Sequence, residues 1–186
     1  MNTPGLEVKP IVSIDGMHHL NEVYFTDVRV PVSNRVGEEN SGWTYAKFLL
    51  GHERTGIAGV AASQRKVQAI KEVAAVEHDN NGQKLADSHE FMSALNEIEV
   101  RLSSLEAVEA RVIANMEATG APGDSASMLK IIGSEIQQAL QALTVEAVAY
   151  YALPFDVALI RGEINEPSIG PKYAESAVSD LSLIHI

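Results

Sequence analysis

The stretch FMSALNEIEVRLSSLEAVEARVIANM, residues 91–116, decides the fold. Most of its large apolar residues recur every three or four positions, and this interval places them along one face of an α-helix. These residues are Phe91, Leu95, Ile98, Leu102, Leu105, Val112 and Met116. Because charged and small residues occupy most of the other positions, the stretch predicts a long amphipathic helix that packs against other helices.

Two more segments with helical spacing flank this helix. One extends from residue 43 to residue 76, and the turn-forming residues 79–82 (DNNG) end it. The other covers residues 128–147 and ends at Leu153-Pro154. With a short fourth helix predicted near Lys172, the pattern indicates a mainly α fold, an up-down helical bundle.

The first residues of the chain have a different pattern. Residues 6–14 and 23–30 alternate apolar and polar positions and are rich in β-branched residues, with Asp15-Gly16 as a turn between them and Pro31 after them. The pattern predicts a β-hairpin before the bundle. A lone hairpin is only marginally stable, so these strands are expected to belong to a larger sheet.

Composition excludes several classes of function. The chain has 186 residues with Lys+Arg 14 and Asp+Glu 25, a formal net charge of -11, which argues against non-specific nucleic-acid or anionic-membrane binding. Cys 0 excludes disulfides, thiolate metal sites and cysteine nucleophiles. No apolar run reaches the roughly 18–20 residues of a membrane span. Because Met1–Pro10 lacks the layout of a signal peptide, a cytoplasmic location is expected.

The six histidines do not predict a metal site. None of them forms an i,i+4 pair, and no HExxH motif occurs. We therefore expect surface histidines and no bound metal.

The segment His52-Glu53-Arg54-Thr55 is unusual on its own terms. It lies inside a predicted helix whose other residues are mostly apolar, Ala or Gly. One interpretation is a surface Glu and Arg, or a Glu–Arg pair that bridges helices, which is the commoner arrangement. The other is a carboxylate base beside a cation that binds an anionic ligand.

Four short motifs, in this order, carry a family resemblance. They are Thr3-Pro4-Gly5-Leu6, the FTDVRVP segment at 25–31, Gly42-Trp43 and Glu53-Arg54. Together they resemble the C-terminal part of the acyl-CoA dehydrogenases, in particular a divergent bacterial branch that resembles pimeloyl-CoA and steroid-type members. In that comparison residues 1–40 are the end of the middle β-domain, and residues 41–186 are the C-terminal helical bundle, truncated at its end.

The resemblance implies an oxidoreductase of fatty-acid β-oxidation type with FAD as cofactor. A carboxylate removes the α-proton of an acyl-CoA thioester while the β-hydrogen leaves as hydride to flavin N5. Glu53 matches one of the two positions at which the family places this base, and Arg54 matches the Arg that helps to hold the CoA end of the substrate. Implied partners are acyl-CoA, an electron-transfer flavoprotein as electron acceptor, and further subunits in a homo- or hetero-oligomeric dimer or tetramer.

Two departures from the family pattern are visible. Glu77–Gly82 stands where many members have an E-R-x-x-F-G segment whose Arg and Phe contact the FAD of a neighbouring subunit. Ala149–Pro154 replaces a G-G-x-G segment that also touches FAD, and Leu181–Ile186 does not align. Because family members are longer, we expect a C-terminal fragment with little independent catalysis. The alternative is a non-catalytic helical subunit that assembles with an active dehydrogenase.

Overall fold

The computed structural model describes residues 2–13, 16–53, 58–120, 125–154, 157–161, 163–165 and 170–174. Contacts divide the chain into two compact units, Met1–Phe48 and Leu49–Ile186.

The first unit contains the predicted β-hairpin. Strand β1 (Leu6–Val12) pairs antiparallel with β2 (His18–Phe25) in a two-stranded sheet. The register sets Leu6 opposite Phe25 and Val8 opposite Val23, so these apolar residues share one face of the sheet. The predicted second strand, residues 23–30, is wrong in its bounds. The strand begins at His18 and ends at Phe25, just before Asp27, whose φ of 52° departs from extended backbone.

The opposite face of the hairpin carries charged residues beside the apolar pair Ile11 and Leu20. The Lys9 ammonium lies 3.4 Å from the Glu7 carboxylate and 4.8 Å from the centre of the Tyr24 ring. The Tyr24 hydroxyl donates a hydrogen bond of 2.8 Å to Glu22. Every residue of both strands is exposed except Leu6, which is half-buried. The hairpin therefore has no hydrophobic core of its own.

Helix α1 (Gly42–Glu53) follows the hairpin and runs across the division between the two units. In the first unit, the backbone N–H of Glu38 donates to the Tyr45 hydroxyl at 2.9 Å, which ties the start of this helix to the preceding loop.

The second unit is a helical bundle made of α2 (Val60–Ala74), α3 (His89–Thr119) and α4 (Ala126–Val148). Six of the seven apolar residues predicted to line α3 are buried, and the seventh, Met116, is half-buried. From α4 the core receives Leu129, Ile136, Leu140, Leu143 and Ala147. The prediction of a helical bundle after a hairpin is confirmed.

The predicted continuous helix over residues 43–76 is wrong. Gly59 lies between α1 and α2 with a φ of 64°, a left-handed conformation that an α-helix does not contain. The chain therefore leaves helical geometry and starts a new helix at Val60. An isolated glycine inside a helical pattern costs only about 1 kcal/mol, so sequence alone did not require this interruption.

The end of α4 also differs from the expectation. Helix α4 ends at Val148 rather than near Leu153-Pro154, because Ala149 takes a φ of 47° and a 3-10 turn, Ala149–Ala152, follows. Ser88 caps α3 by accepting the backbone N–H of Phe91 at 3.4 Å.

After α4 the described chain contains only short helical segments. Helix α5 (Val157–Ile160) was not predicted. A 3-10 turn at Lys172–Ala174 stands where the fourth helix was predicted to begin, and the remainder of that prediction lies outside the described residues. Within the described ranges no helix is both long and apolar enough to cross a membrane.

Candidate functional site

Of the predicted catalytic pair, the structure describes only Glu53, at the end of α1. Glu53 is the last residue of this helix, whereas the sequence pattern placed it well inside a longer one. Arg54 lies outside the described residues. The roles of Glu53 as base and of Arg54 in binding CoA therefore stay predictions.

The backbone just before α2 makes a tight contact with α4. Gly133 of α4 is so close to the chain at Ala58 that a Cβ atom at Gly133 would lie 2.5 Å from the Ala58 carbonyl oxygen. Ala58 is completely buried. This close approach sets the start of α2 against α4.

Ser63, in the first turn of α2, is a buried polar residue without a hydrogen-bond partner. Its side chain is 3% exposed, and its hydroxyl oxygen has no partner in the described structure. Thr144 on α4 is also buried, but its hydroxyl donates to the Leu140 carbonyl at 2.8 Å. An unpaired buried hydroxyl costs free energy, so the hydroxyl of Ser63 lowers the stability of the bundle.

A cleft of about 450 Å³ lies between α2 and α4. Its lining is mostly apolar and consists of Lys66, Ala69, Ile70, Glu72, Val73, Val76, Thr144, Ala147 and Tyr173. The hydroxyl of Tyr173 donates a short hydrogen bond to the Glu77 carboxylate. Burial, and then the bond to Glu77, raise the pKa of Tyr173 to about 12. Sequence reasoning missed this contact because the two residues are 96 positions apart.

The turn that follows α2 is stabilised by Asp79. Its carboxylate accepts the backbone N–H groups of Asn81 at 2.8 Å and Gln83 at 2.9 Å. These bonds, chiefly the one from Gln83, hold the pKa of the Asp79 carboxyl below its usual value. Backbone bonds also connect the two arms of the turn, with the N–H of Leu85 donating to the Glu77 carbonyl at 3.0 Å.

Among the described residues, no group of three or more His, Asp or Glu side chains is arranged to hold a metal ion.

Residues 40–161 match the family model for the acyl-CoA dehydrogenase C-terminal domain. This match begins just before α1 and includes Glu53, the whole of the bundle and α5. The chain belongs to the acyl-CoA dehydrogenase family. The family resemblance stated from the sequence motifs is confirmed.

Known members of the family are similar over most of the chain. Acyl-CoA dehydrogenase FadE29 of Mycobacterium tuberculosis is 34% identical over 160 residues, which are 81% of this chain and 38% of that protein. The crystal structure of the ChsE4–ChsE5 complex from Mycobacterium tuberculosis superposes with a TM-score of 0.74 at 25% identity over 98% of this chain and 45% of that one.

A steroid acyl-CoA dehydrogenase, Tcur3481–Tcur3483, shares the fold at a TM-score of 0.70 and 24% identity, over 98% of this chain and 43% of that one. The chain thus spans less than half the length of each of these relatives.

Proposed function

We propose that this chain is the C-terminal part of a cytoplasmic FAD-dependent acyl-CoA dehydrogenase, which introduces a double bond between the α- and β-carbons of an acyl-CoA thioester. The observation that carries the proposal is the family match over residues 40–161, which includes Glu53 together with the bundle. Bound FAD would supply the two-electron acceptor for the β-hydrogen, and an electron-transfer flavoprotein would reoxidise it.

In this proposal Glu53 is the general base. Its carboxylate takes the α-proton, and the electron pair of the broken C–H bond becomes the new C=C bond as the β-hydrogen departs with its own pair. The α-proton of a thioester is far less acidic than a free carboxylic acid. Hydrogen bonds to the thioester carbonyl and exclusion of water must therefore stabilise the enolate-like transition state.

Arg54 is the proposed contact for the CoA end of the substrate. CoA is an anion and the chain carries a formal net charge of -11, so its overall field repels this ligand. Individually placed cations must therefore provide the attraction, and Arg54 is the one that the family pattern indicates.

The role of Glu53 can be tested with the Glu53→Gln variant of the complete enzyme. The variant is mixed anaerobically with excess acyl-CoA, and the flavin absorbance is followed during a single turnover. We expect flavin reduction to slow by about 100-fold to 10,000-fold, the usual contribution of a general base. Glu97→Gln is the matched control, since Glu97 is an exposed glutamate of α3. Reduction at an undiminished rate in Glu53→Gln would remove Glu53 as the base.

A second candidate function is a non-catalytic helical subunit of a larger dehydrogenase assembly. One observation favours it: a similar solved structure is a complex of two proteins, ChsE4 and ChsE5. The experiment is to measure the native mass and the flavin content of the complete protein, first alone and then co-expressed with a catalytic acyl-CoA dehydrogenase subunit. A homo-oligomer that binds stoichiometric FAD and oxidises acyl-CoA would exclude this second function.

A further inference from the structure

The turn between α2 and α3 bears on how flavin is held in an assembly. Its first six residues, Glu77–Gly82, occupy the position where the family resemblance implies contact with the FAD of a neighbouring subunit. Two chemistries bind the pyrophosphate of such a dinucleotide: cationic side chains, and backbone N–H groups that have no other partner. A turn that binds the pyrophosphate should therefore offer cationic side chains, free backbone N–H groups, or both.

Four backbone N–H groups at the tip of the turn already have partners inside it. Those of Asn81 and Gln83 donate to the Asp79 carboxylate at 2.8 and 2.9 Å. The N–H of Gly82 donates to the Asp79 carbonyl at 3.0 Å, and that of Asp79 donates to the Gln83 carbonyl at 2.8 Å. Asp79 thus occupies, from inside the turn, the place that an anionic ligand takes in a phosphate-binding loop.

The charges of the turn also disfavour an anion. Glu77 and Asp79 contribute two carboxylates, whereas Lys84 contributes one ammonium group on the opposite arm, where its backbone pairs with His78. Aligning the family's E-R-x-x-F-G with Glu77–Gly82 puts His78 at the Arg and Asn81 at the Phe. A phosphate near Asp79 would have to approach a carboxylate at a distance where like charges repel strongly.

The turn has a structural role that accounts for these contacts. Glu77 accepts the Tyr173 hydroxyl, which ties the end of α2 to the 3-10 turn at Lys172–Ala174. Leu85, at the other arm, is buried in the core of the bundle. The turn therefore joins three parts of the second unit.

We infer that the Glu77–Leu85 turn of this chain is a structural turn, stabilised by its own Asp79 carboxylate, and does not hold the flavin of a neighbouring subunit. The inference rests on the proposed function, because only a flavin-dependent assembly has such a contact to lose. It implies that the flavin facing this turn is bound through other residues.

The experiment is to titrate FAD into the complete apoprotein, following the quenching of flavin fluorescence, for wild type and for the double variant His78→Ala/Asn81→Ala. Both side chains are exposed, so thermal unfolding of the apoprotein should be unchanged in the variant. We expect the Kd for FAD to stay within twofold of wild type. Loss of charged or polar contacts to the pyrophosphate would weaken binding by about tenfold to a hundredfold.

A tenfold or larger rise in Kd, with unfolding unchanged, would overturn the inference. Lys130→Ala, an exposed cation of α4, controls for a general loss of positive charge. A complete wild-type protein that binds no FAD would instead overturn the proposed function, so the two failures are distinguishable.

Discussion

Ala149 has a backbone conformation that ordinarily belongs to glycine. Its φ is 47° and its ψ is -120°, and its position follows directly on the last residue of α4. A Cβ atom in this region clashes with the backbone, and the strain costs about 1–3 kcal/mol. The family resemblance implies a glycine-rich segment at this place. Ala149 therefore holds a backbone conformation that glycine would adopt without strain.

Replacing Ala149 by glycine should therefore stabilise the protein. We expect Ala149→Gly to raise the free energy of unfolding by about 1 kcal/mol, the relieved strain minus the greater entropy of glycine in the unfolded chain. This corresponds to a rise in Tm of about 2–4 °C, measured by circular dichroism.

The matched control for Ala149→Gly is Ala142→Gly, an exposed alanine inside α4. There the same substitution should lower stability by about 1 kcal/mol, because glycine is a poor helix former. Loss of stability at both positions would contradict the assignment of strain to Ala149.

At the scale of elements, the contact between Tyr173 and Glu77 joins a short 3-10 turn to the end of α2. Because the pKa of Tyr173 is raised to about 12, the folded state holds this proton more tightly than the unfolded chain, where a tyrosine titrates near 10. The contact therefore contributes its full stability below pH 10. That contribution is lost as pH rises from about 10 to about 12.

The corresponding variant is Tyr173→Phe. We expect it to be less stable than wild type in urea unfolding at pH 8, and the difference should shrink as pH is raised through 10 to 11.5. Tyr24, whose pKa is also raised through its bond to Glu22, is present in both proteins and cancels in the comparison. A difference that is constant over this range would contradict the expectation, because the contribution of the Tyr173 hydroxyl would then not depend on its ionisation.

The elements themselves were largely predictable, and the exceptions have physical causes. The stripe from Phe91 to Val112 identified α3 because its period matches that of a helix and its residues fill the core. The interruption at Gly59 was missed because it lies beside a close approach of Ala58 to Gly133, residues 75 positions apart in the chain. Local propensity does not encode such a contact.

The candidate site was predictable only as far as the family pattern extends. Glu53 stays a prediction from its place beside Arg54 in the family pattern, and the end of the helix at Glu53 was not predicted. The cleft between α2 and α4 and the bond from Tyr173 to Glu77 had no local signal, since both arise from the packing of distant segments. The Asp79 turn was recognised as a helix stop, but its internal hydrogen bonds are visible only in the structure.

At the scale of the whole molecule, the two units differ in how much apolar surface they bury. The second unit has a core with residues such as Leu95, Leu105 and Ile136 that are essentially inaccessible to solvent. In the first unit, Val8, Val23 and Phe25 share one face of the hairpin and are all exposed. Burial of apolar surface is the dominant favourable term in folding, so the two units should differ strongly in local stability.

Native-state hydrogen exchange of the 186-residue chain, read by NMR, measures this difference directly. We expect the paired amides of β1 and β2 to have protection factors at least about a hundredfold lower than those of α3, because a two-stranded hairpin alone is marginally stable. The amides of α4 near Leu140 serve as the internal reference for the bundle, since this residue is buried in the core. Protection of the hairpin equal to that of α3 would contradict this expectation, and would show that the apolar face of Leu6, Val8, Val23 and Phe25 is covered in solution. Because the hairpin and the bundle are measured in one sample, differences in pH, temperature or concentration cannot produce the contrast.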